Sequence, residues 1–292
     1  MNIASSHYYY HLGVKIEMPE LPEVETVKKG LEDILVNKTI KGIILSGFSL
    51  RFPIPKNLVS LASGKKIVSI ARRSKYILFN LSENISLISH LGMSGSYRIL
   101  SQEESKSYKA KKHDHIIFQF EDFKVVYNDP RRFGYIFITD KDPKDHKSIA
   151  SLGPEPLSYE FDEDSLFKSS IGKSRNIKSF IMDSKVVVGV GNIYASESLF
   201  LAGISPKREA GKTSKERYKV LTNSIKNVLT DAINNGGTTL NDFSNVDGNP
   251  GYFSQVLNVY GRENMPCMRC SGKIKRIIQN QRATYYCSKC QY

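Results

Sequence analysis

The sequence predicts an α+β chain in three parts: a β-rich first half, a helical middle and a short cysteine-bearing tail. Three observations carry that division. Between residues 40 and 139 apolar and polar residues alternate in short runs, the period of half-buried sandwich strands. After the breaker cluster Gly153-Pro154-Glu155-Pro156 the apolar period lengthens to three or four, as in helices. All 4 cysteines fall near the end of the 292-residue chain.

The elements follow in order. Residues 1–17 carry neither a basic n-region, a long apolar core nor a small-residue cleavage site, so they do not read as a secretory signal. They are expected to be an upstream extension, absent from the active protein. From Met18 the chain runs Pro19-Glu20-Leu21-Pro22-Glu23 into Val24, Val27, Leu31 and Ile34, a spacing that predicts an amphipathic helix. Pro22 suits its first turn, and Glu23 and Glu25 suit the positive end of its dipole. Strands are predicted at 40–45, 66–70, 76–81, 85–90, 97–100, 115–120, 124–127 and 135–139. Helices are predicted at 177–182, 193–201 and 215–234, the last stopped at Gly236-Gly237. Residues 241–252, rich in Asn, Asp, Gly and Ser, predict a mobile loop. The resulting segments are 18–150, 155–250 and 257–292.

Charge narrows the partner. Lys plus Arg number 42 against 29 Asp plus Glu, a formal charge of +13. Such an excess favours a polyanion, nucleic acid first and an anionic membrane surface second. No run approaches the apolar length of a membrane span, which predicts a protein with no place in the membrane.

The cysteines form two C-x2-C pairs, Cys267 with Cys270 and Cys287 with Cys290. Two such turns bring four thiolates around one tetrahedral Zn²⁺. Two disulfides are the competing reading, and the absence of a secretory signal argues against the oxidising compartment they need. Between the pairs, residues 273–278 and 281–286 predict a basic β-hairpin that one structural zinc would order, since so short a tail has little core of its own.

Candidate chemistry begins at Pro19. If translation starts at Met18 and Met18 is removed, Pro19 carries a free secondary amine, which attacks an aldehyde-like carbon to give an iminium, an electron sink. Glu20 stands beside it as a proton donor or acceptor. Ordinary helix capping also uses proline and glutamate, so the other stretches decide. Lys75, entering a strand after Arg72 and Arg73, suits phosphate binding or proton transfer. Met93 sits between Gly92 and Gly95, and Arg131 and Phe133 lie in Asp129-Pro130-Arg131-Arg132-Phe133-Gly134. Apolar wedges with an arginine are what a protein needs to enter a base stack and satisfy an orphaned base. Gly189-Val190-Gly191-Asn192 enters a helix, where amide donors and the Asn192 side chain suit phosphate. A mononucleotide site is disfavoured there because no Walker lysine follows.

With these motifs and Ile193-Tyr194-Ala195-Ser196-Glu197, the chain from Met18 to its end resembles the bacterial formamidopyrimidine-DNA glycosylases in motif order and spacing. The resemblance implies a β-sandwich flanked by helices, a helix-two-turns-helix domain and a C-terminal zinc finger hairpin, binding damaged double-stranded DNA between domains. It implies excision of oxidised purines such as 8-oxoguanine and formamidopyrimidines, then β,δ-elimination at the abasic site. Pro19 is then the nucleophile on the sugar and Glu20 the proton donor for base release and ring opening. Lys75 is the proton donor in β-elimination and Arg282 the donor in δ-elimination, both also holding phosphate. Met93, Arg131 and Phe133 fill the duplex gap, Arg131 pairing the estranged cytosine. Asn192 and Tyr260 hold backbone phosphate, and His113 and Lys173 fall at further DNA-contact positions. A cytoplasmic, nucleoid-associated monomer with one zinc and no membrane partner is the corresponding expectation. Two alternatives stay open: an endonuclease VIII-like glycosylase for oxidised pyrimidines, and a non-catalytic damaged-DNA-binding protein if Pro19 is not an N-terminus.

Overall fold

The computed structural model describes residues 19–236 and 257–292. The extension 1–17 and the loop expected at 241–252 lie outside the described residues.

Helix α1 (Leu21–Leu35) has a proline in its first turn, and Glu23 Oε2 accepts the Glu20 N–H at 2.8 Å. Its buried stripe is Val24, Val27, Leu31 and Leu35. Leu35 takes the place expected of Ile34, because a four-residue step from Leu31 returns closer to the same helix face. Then come β1 (Gly42–Leu45), α2 (Leu58–Ala62), β2 (Ile67–Arg73), β3 (Tyr76–Leu81), β4 (Ser86–His90), β5 (Ser96–Leu100), α3 (Gln102–Ser107), β6 (Asp114–Gln119), β7 (Lys124–Asn128) and β8 (Tyr135–Thr139). Each expected strand is present, β3 and β8 with the expected ends and the others with shifted ends. β2 runs past its expected end because Arg72 and Arg73 pair with Ile77 and Tyr76 of β3. α2 and α3 were not expected: each spans too few residues to display an apolar period.

The strands form two antiparallel four-stranded sheets, in the orders β1-β6-β7-β5 and β2-β3-β4-β8. Their inner faces meet through aromatic side chains. Tyr97 of β5 packs 5.8 Å from Phe79 of β3, and its hydroxyl donates to Ser89 Oγ of β4 at 2.7 Å. A polar tip on a buried ring needs such a partner.

The second part holds α4 (Glu163–Ser170), α5 (Ile177–Ile181), α6 (Asn192–Leu201) and α7 (Lys215–Asn234). The long α7 opens on Ser214, which accepts the Arg217 N–H, and ends just before Gly236, whose φ of +76° turns the chain out of the helix. α4 and α6 pack along it. The tail is a hairpin of β9 (Ile274–Gln279) and β10 (Arg282–Cys287) joined by Asn280 and Gln281 at φ +46° and +62°, the left-handed pair that a two-residue turn requires. β10 rests against α6.

One apolar cluster runs through sandwich and helices alike, from Phe79 and Tyr97 through Leu31 to Phe180, Ile193 and Leu221. α1 is its bridge, packed on β2 and β3 and on α7. Among the described residues no helix is long and apolar enough to cross a membrane. Truncating Leu31, which has 0% exposure on that bridge, to alanine is expected to cost about 2–5 kcal/mol in urea unfolding.

Candidate active site

A cleft of about 480 Å³ opens where the parts meet, lined by Glu20, Lys75, Tyr76, His90 and Met93, by Leu152 and Met182, by Gly189 to Asn192, and by Arg282. Pro19 is buried immediately before Glu20. Sequence positions more than two hundred residues apart thus face one space.

Glu20, only 2% exposed, crosses from the sandwich side to the helical side. Its carboxylate accepts the N–H groups of Gly191 at 2.8 Å, Ile193 at 2.9 Å and Tyr194 at 3.4 Å, the open amides of the α6 N-terminus. Helix ends offer such donors together with a positive dipole. The expected role of these amides as phosphate donors is therefore corrected: Glu20 takes them. Gly191 makes the approach possible, since a Cβ there would lie 2.2 Å from the Glu20 carboxyl carbon. Tyr194 donates its hydroxyl to Glu23 Oε1 at 2.6 Å and ties α6 to the same corner of α1.

Lys75 projects from the two-residue turn between β2 and β3. Ser74 adopts φ +56° there, and its N–H donates to Glu155 Oε1 at 2.6 Å. Arg72 and Arg73 also turn to Glu155, each at 2.8 Å, and Arg72 reaches Glu25 at 2.6 Å. Of the three cations in this stretch, Lys75 is the one that lines the cleft. Burial raises the Glu155 carboxyl, and the Arg72 charge with donors from Arg73, Ser74 and Arg72 outweighs it, leaving the group below its ordinary value.

The loop of Met93 and the loop of Arg131 and Phe133 share one root. Buried Asp129 accepts the Ser94 hydroxyl through Oδ1 at 2.5 Å and the Gly134 N–H through Oδ2 at 2.8 Å. Ser94 Oγ in turn accepts the Arg131 N–H at 3.0 Å. The loops touch backbone to backbone: Gly92 has φ +64°, and a Cβ on it would lie 2.3 Å from the Gly134 nitrogen. Above that root Arg131 is exposed and Phe133 is 41% exposed, with the guanidinium 5.2 Å from the ring centre. Met93 is half-buried on the cleft wall. His113 stands at the loop's foot, where its carbonyl accepts the Asp129 N–H at 3.0 Å.

Asn192 and Tyr260 lie deeper than a simple phosphate contact predicts. The Asn192 amide donates to the Tyr260 hydroxyl at 3.4 Å, and its Oδ1 accepts from Lys178 Nζ. Lys178, 2% exposed, also donates to Thr284 Oγ1 at 2.8 Å and the Ala283 carbonyl at 3.1 Å, the residues next to Arg282. The amides of Asn258, Val259 and Tyr260 converge on the Glu197 carboxylate. Lys173 sits on an exposed turn after α4, its backbone bonded to Ser170 and Gly211, outside the cleft lining.

Sequence reasoning missed Glu155, Asp129, Lys178, Glu197 and His90. Lys178 had a signal: it interrupts the apolar run Ile177, Phe180, Ile181. His90 ends β4 with its ring stacked 4.9 Å over Tyr135, and its Nδ1 accepts the Gly92 N–H at 2.9 Å, so the neutral ring carries its proton on Nε2. Burial, with Lys75 and Arg51 nearby, lowers its pKa to about 3.

The four cysteine sulfurs lie within 4.8 Å of one another, with Cys270 to Cys287 at 3.5 Å and Cys267 to Cys290 at 3.8 Å. Tetrahedral zinc with Zn–S near 2.3 Å places sulfurs about 3.8 Å apart, so the set fits one zinc. The Arg269 N–H donating to Cys267 Sγ at 3.4 Å suits a thiolate ligand.

Three family models match in sequence order. They are the formamidopyrimidine-DNA glycosylase N-terminal domain over residues 18–136, the formamidopyrimidine-DNA glycosylase H2TH domain over 152–244, and the zinc finger found in FPG and IleRS over 266–291. The chain is 52% identical over 275 residues to the formamidopyrimidine-DNA glycosylase of Ruthia magnifica subsp. Calyptogena magnifica, covering 94% of this chain and 100% of the relative. It is similar to the Lactococcus lactis Fpg solved with Fapy-dG containing DNA, at TM-score 0.82 and 33% identity over 93% of this chain and 99% of that one. The Lactococcus lactis Fpg solved with abasic-site DNA gives TM-score 0.82 and 34% identity over 94% and 99%.

Two outcomes follow from this geometry. Glu155→Gln removes one charge from a partly buried cluster and is expected to lower stability by about 3 kcal/mol in urea unfolding. His90 refuses a proton in the folded state that the unfolded chain accepts between pH 6.5 and about 3. Stability therefore falls with acid across that window, by up to about 1.4 kcal/mol per pH unit from this residue. A His90→Asn variant is expected to show a flatter acid slope in unfolding midpoints measured from pH 7 to pH 4.

Proposed function

Because the chain belongs to the formamidopyrimidine-DNA glycosylase family, we infer that it is a base-excision repair enzyme. It removes oxidised purines from duplex DNA and cuts the strand at the resulting abasic site. The observation that carries the mechanistic reading is the convergence of Glu20, Lys75 and Arg282 on one cleft, with Pro19 directly before Glu20.

The roles assigned are these. Pro19, as a free secondary amine, gives its lone pair to the sugar C1′, and the glycosidic bond electrons leave with the base, which takes up a proton. Attack leaves the Pro19 nitrogen cationic; its N–H proton passes to the Glu20 carboxylate, which hands it to the ring oxygen as the C1′–O4′ bond breaks, leaving an iminium between Pro19 and the open sugar. That cation acidifies C2′: its proton leaves to solvent, the C–H electrons form the C2′=C3′ bond, and the C3′–O bond breaks as the 3′ phosphate departs, with Lys75 as proton donor. Arg282 serves the second departure, of the 5′ phosphate. Neutral His90, with Nε2–H, adds an uncharged donor on the same wall. Met93, Arg131 and Phe133 enter the duplex where the nucleotide has left, their shared Asp129 root resisting the restacking force. His113, Lys173, Asn192 and Tyr260 bear on the phosphate backbone, Asn192 and Tyr260 through the Lys178 network.

Labour divides by segment: 18–150 carries the chemistry, 155–250 the helix-two-turns-helix grip, and 257–292 the hairpin that delivers Arg282. Zinc held by Cys267, Cys270, Cys287 and Cys290 would order that hairpin. The working form is a monomer that begins at Pro19 and acts on nucleoid DNA in the cytoplasm. The Pro19-Glu20-Leu21-Pro22-Glu23 stretch and the Met93, Arg131 and Phe133 set favour the purine branch over an endonuclease VIII-like activity.

Borohydride trapping on an 8-oxoguanine:cytosine duplex tests this. Protein started at Met18 is expected to give a covalent adduct that maps to Pro19, and protein started at Met1 none. Arg282→Ala is expected to retain the adduct while losing ~10-fold or more of the second cut, on the scale of one general acid. Duplex binding with no adduct from either form would turn the reading to a damaged-DNA-binding protein. Faster cutting of thymine glycol duplexes would turn it to the pyrimidine branch.

A further inference from the structure

The outer face of the first sheet is covered only in part. Ile44 of β1, Ile117 of β6, Val126 of β7 and Arg98 of β5 are register partners in one row across it. The segment after α3 folds over this row: Tyr108 packs on Leu100, Ile117 and Val126, and the Arg98 guanidinium lies 5.3 Å from the Tyr108 ring centre. The cover stops short of β1. Ile44 is left 48% exposed and Phe48, in the loop that follows, 59% exposed. Both line a groove of about 260 Å³ whose other wall carries Lys111 and Lys112.

Its chemistry is one-sided. Asp114, the acidic residue of the lining, is engaged inward, accepting from the Tyr108 hydroxyl, the Lys111 N–H at 2.7 Å and Asn128 Nδ2 at 2.8 Å. Lys111 and Lys112 are exposed, and among the described residues neither is in an ion pair. β1 is the end strand of its sheet, and an end strand offers backbone donors and acceptors along one side. None of the groove's lining residues belongs to the catalytic cleft.

We propose that this groove docks an acidic peptide segment of another protein, laid along the β1 edge. A bulky apolar side chain of the segment sits against Ile44 and Phe48, and its carboxylates meet Lys111 and Lys112. The volume suits one anchoring side chain and falls below the ~300 Å³ floor of small-molecule sites. A phosphate backbone would leave the apolar floor unused. A second copy of this chain would bring the same two lysines and repel.

The test is fluorescence anisotropy with the full chain and a short fluorescein-labelled peptide rich in Asp and Glu around a central Phe-Ile pair. Salt-sensitive binding is expected, weakened ~10-fold by Phe48→Ser and by the paired Lys111→Glu and Lys112→Glu change, as for an anchor and its charge rim. Cleavage of a lesion duplex is expected to be unchanged in both variants, and matched thermal midpoints establish that both fold. Absence of peptide binding, or binding indifferent to Phe48→Ser, would overturn the proposal. So would charge reversal weakening duplex binding in place of peptide binding, which assigns the surface to DNA, or sedimentation showing a dimer lost in Phe48→Ser, which assigns it to a second copy.

Discussion

The seat of the Glu20 carboxylate on the α6 N-terminus is the contact on which the rest depends. A charge at 2% exposure costs several kcal/mol to desolvate unless donors replace its water. The amides of Gly191, Ile193 and Tyr194 do so in a fixed geometry, at the end where the α6 dipole is positive. The arrangement leaves no room for a side chain at Gly191 and draws the start of α1 against Gly189, whose carbonyl accepts the Leu21 N–H at 3.2 Å. Pro19 thus has its place set from both sides, by the sandwich through α1 and by the helical part through α6.

The same physics recurs where the other parts meet the cleft. Glu155, in the linker between sandwich and helices, gathers Arg72, Arg73 and the Ser74 amide and so fixes the turn that carries Lys75. Lys178 joins α5 to Asn192 and to the hairpin beside Arg282. Apolar burial is non-directional and holds the parts together without aiming them. Hydrogen bonds to buried charges are directional, and losing one partner leaves an uncompensated group. The cleft is therefore aimed by buried polar joints laid over a continuous apolar core.

This division explains what was legible in the sequence. Strand period, helix period and cysteine spacing are local patterns, and they located the sheets, the long helices and the metal set. Lys75 and Met93 were visible because a turn presents each of them. Arg72 and Arg73 were read with Lys75 as one basic stretch, since Glu155 lies some eighty positions away and nothing local marks it as their partner. The Gly-rich entry to α6 looked like a phosphate cradle for the same reason: its ligand is Glu20, 171 positions away from Gly191. α2, α3 and α4 escaped because runs of five to eight residues leave little period to show.

The loops of Met93 and of Arg131 and Phe133 add the converse case, in which the tip stays exposed. Phe133 keeps 41% of its surface in water and Arg131 lies over it, an arrangement that favours neither burial nor a compact loop. On the proposed wedge role, entering a base stack would cost a few kcal/mol of unstacking per step, and a yielding loop would bend before the stack opened. Stiffness must come from below. Asp129, at 0% exposure, supplies it by bonding Ser94 and Gly134 at once, while the missing side chain at Gly92 lets the two backbones meet. The exposed side chains inherit their position from a fully buried carboxylate.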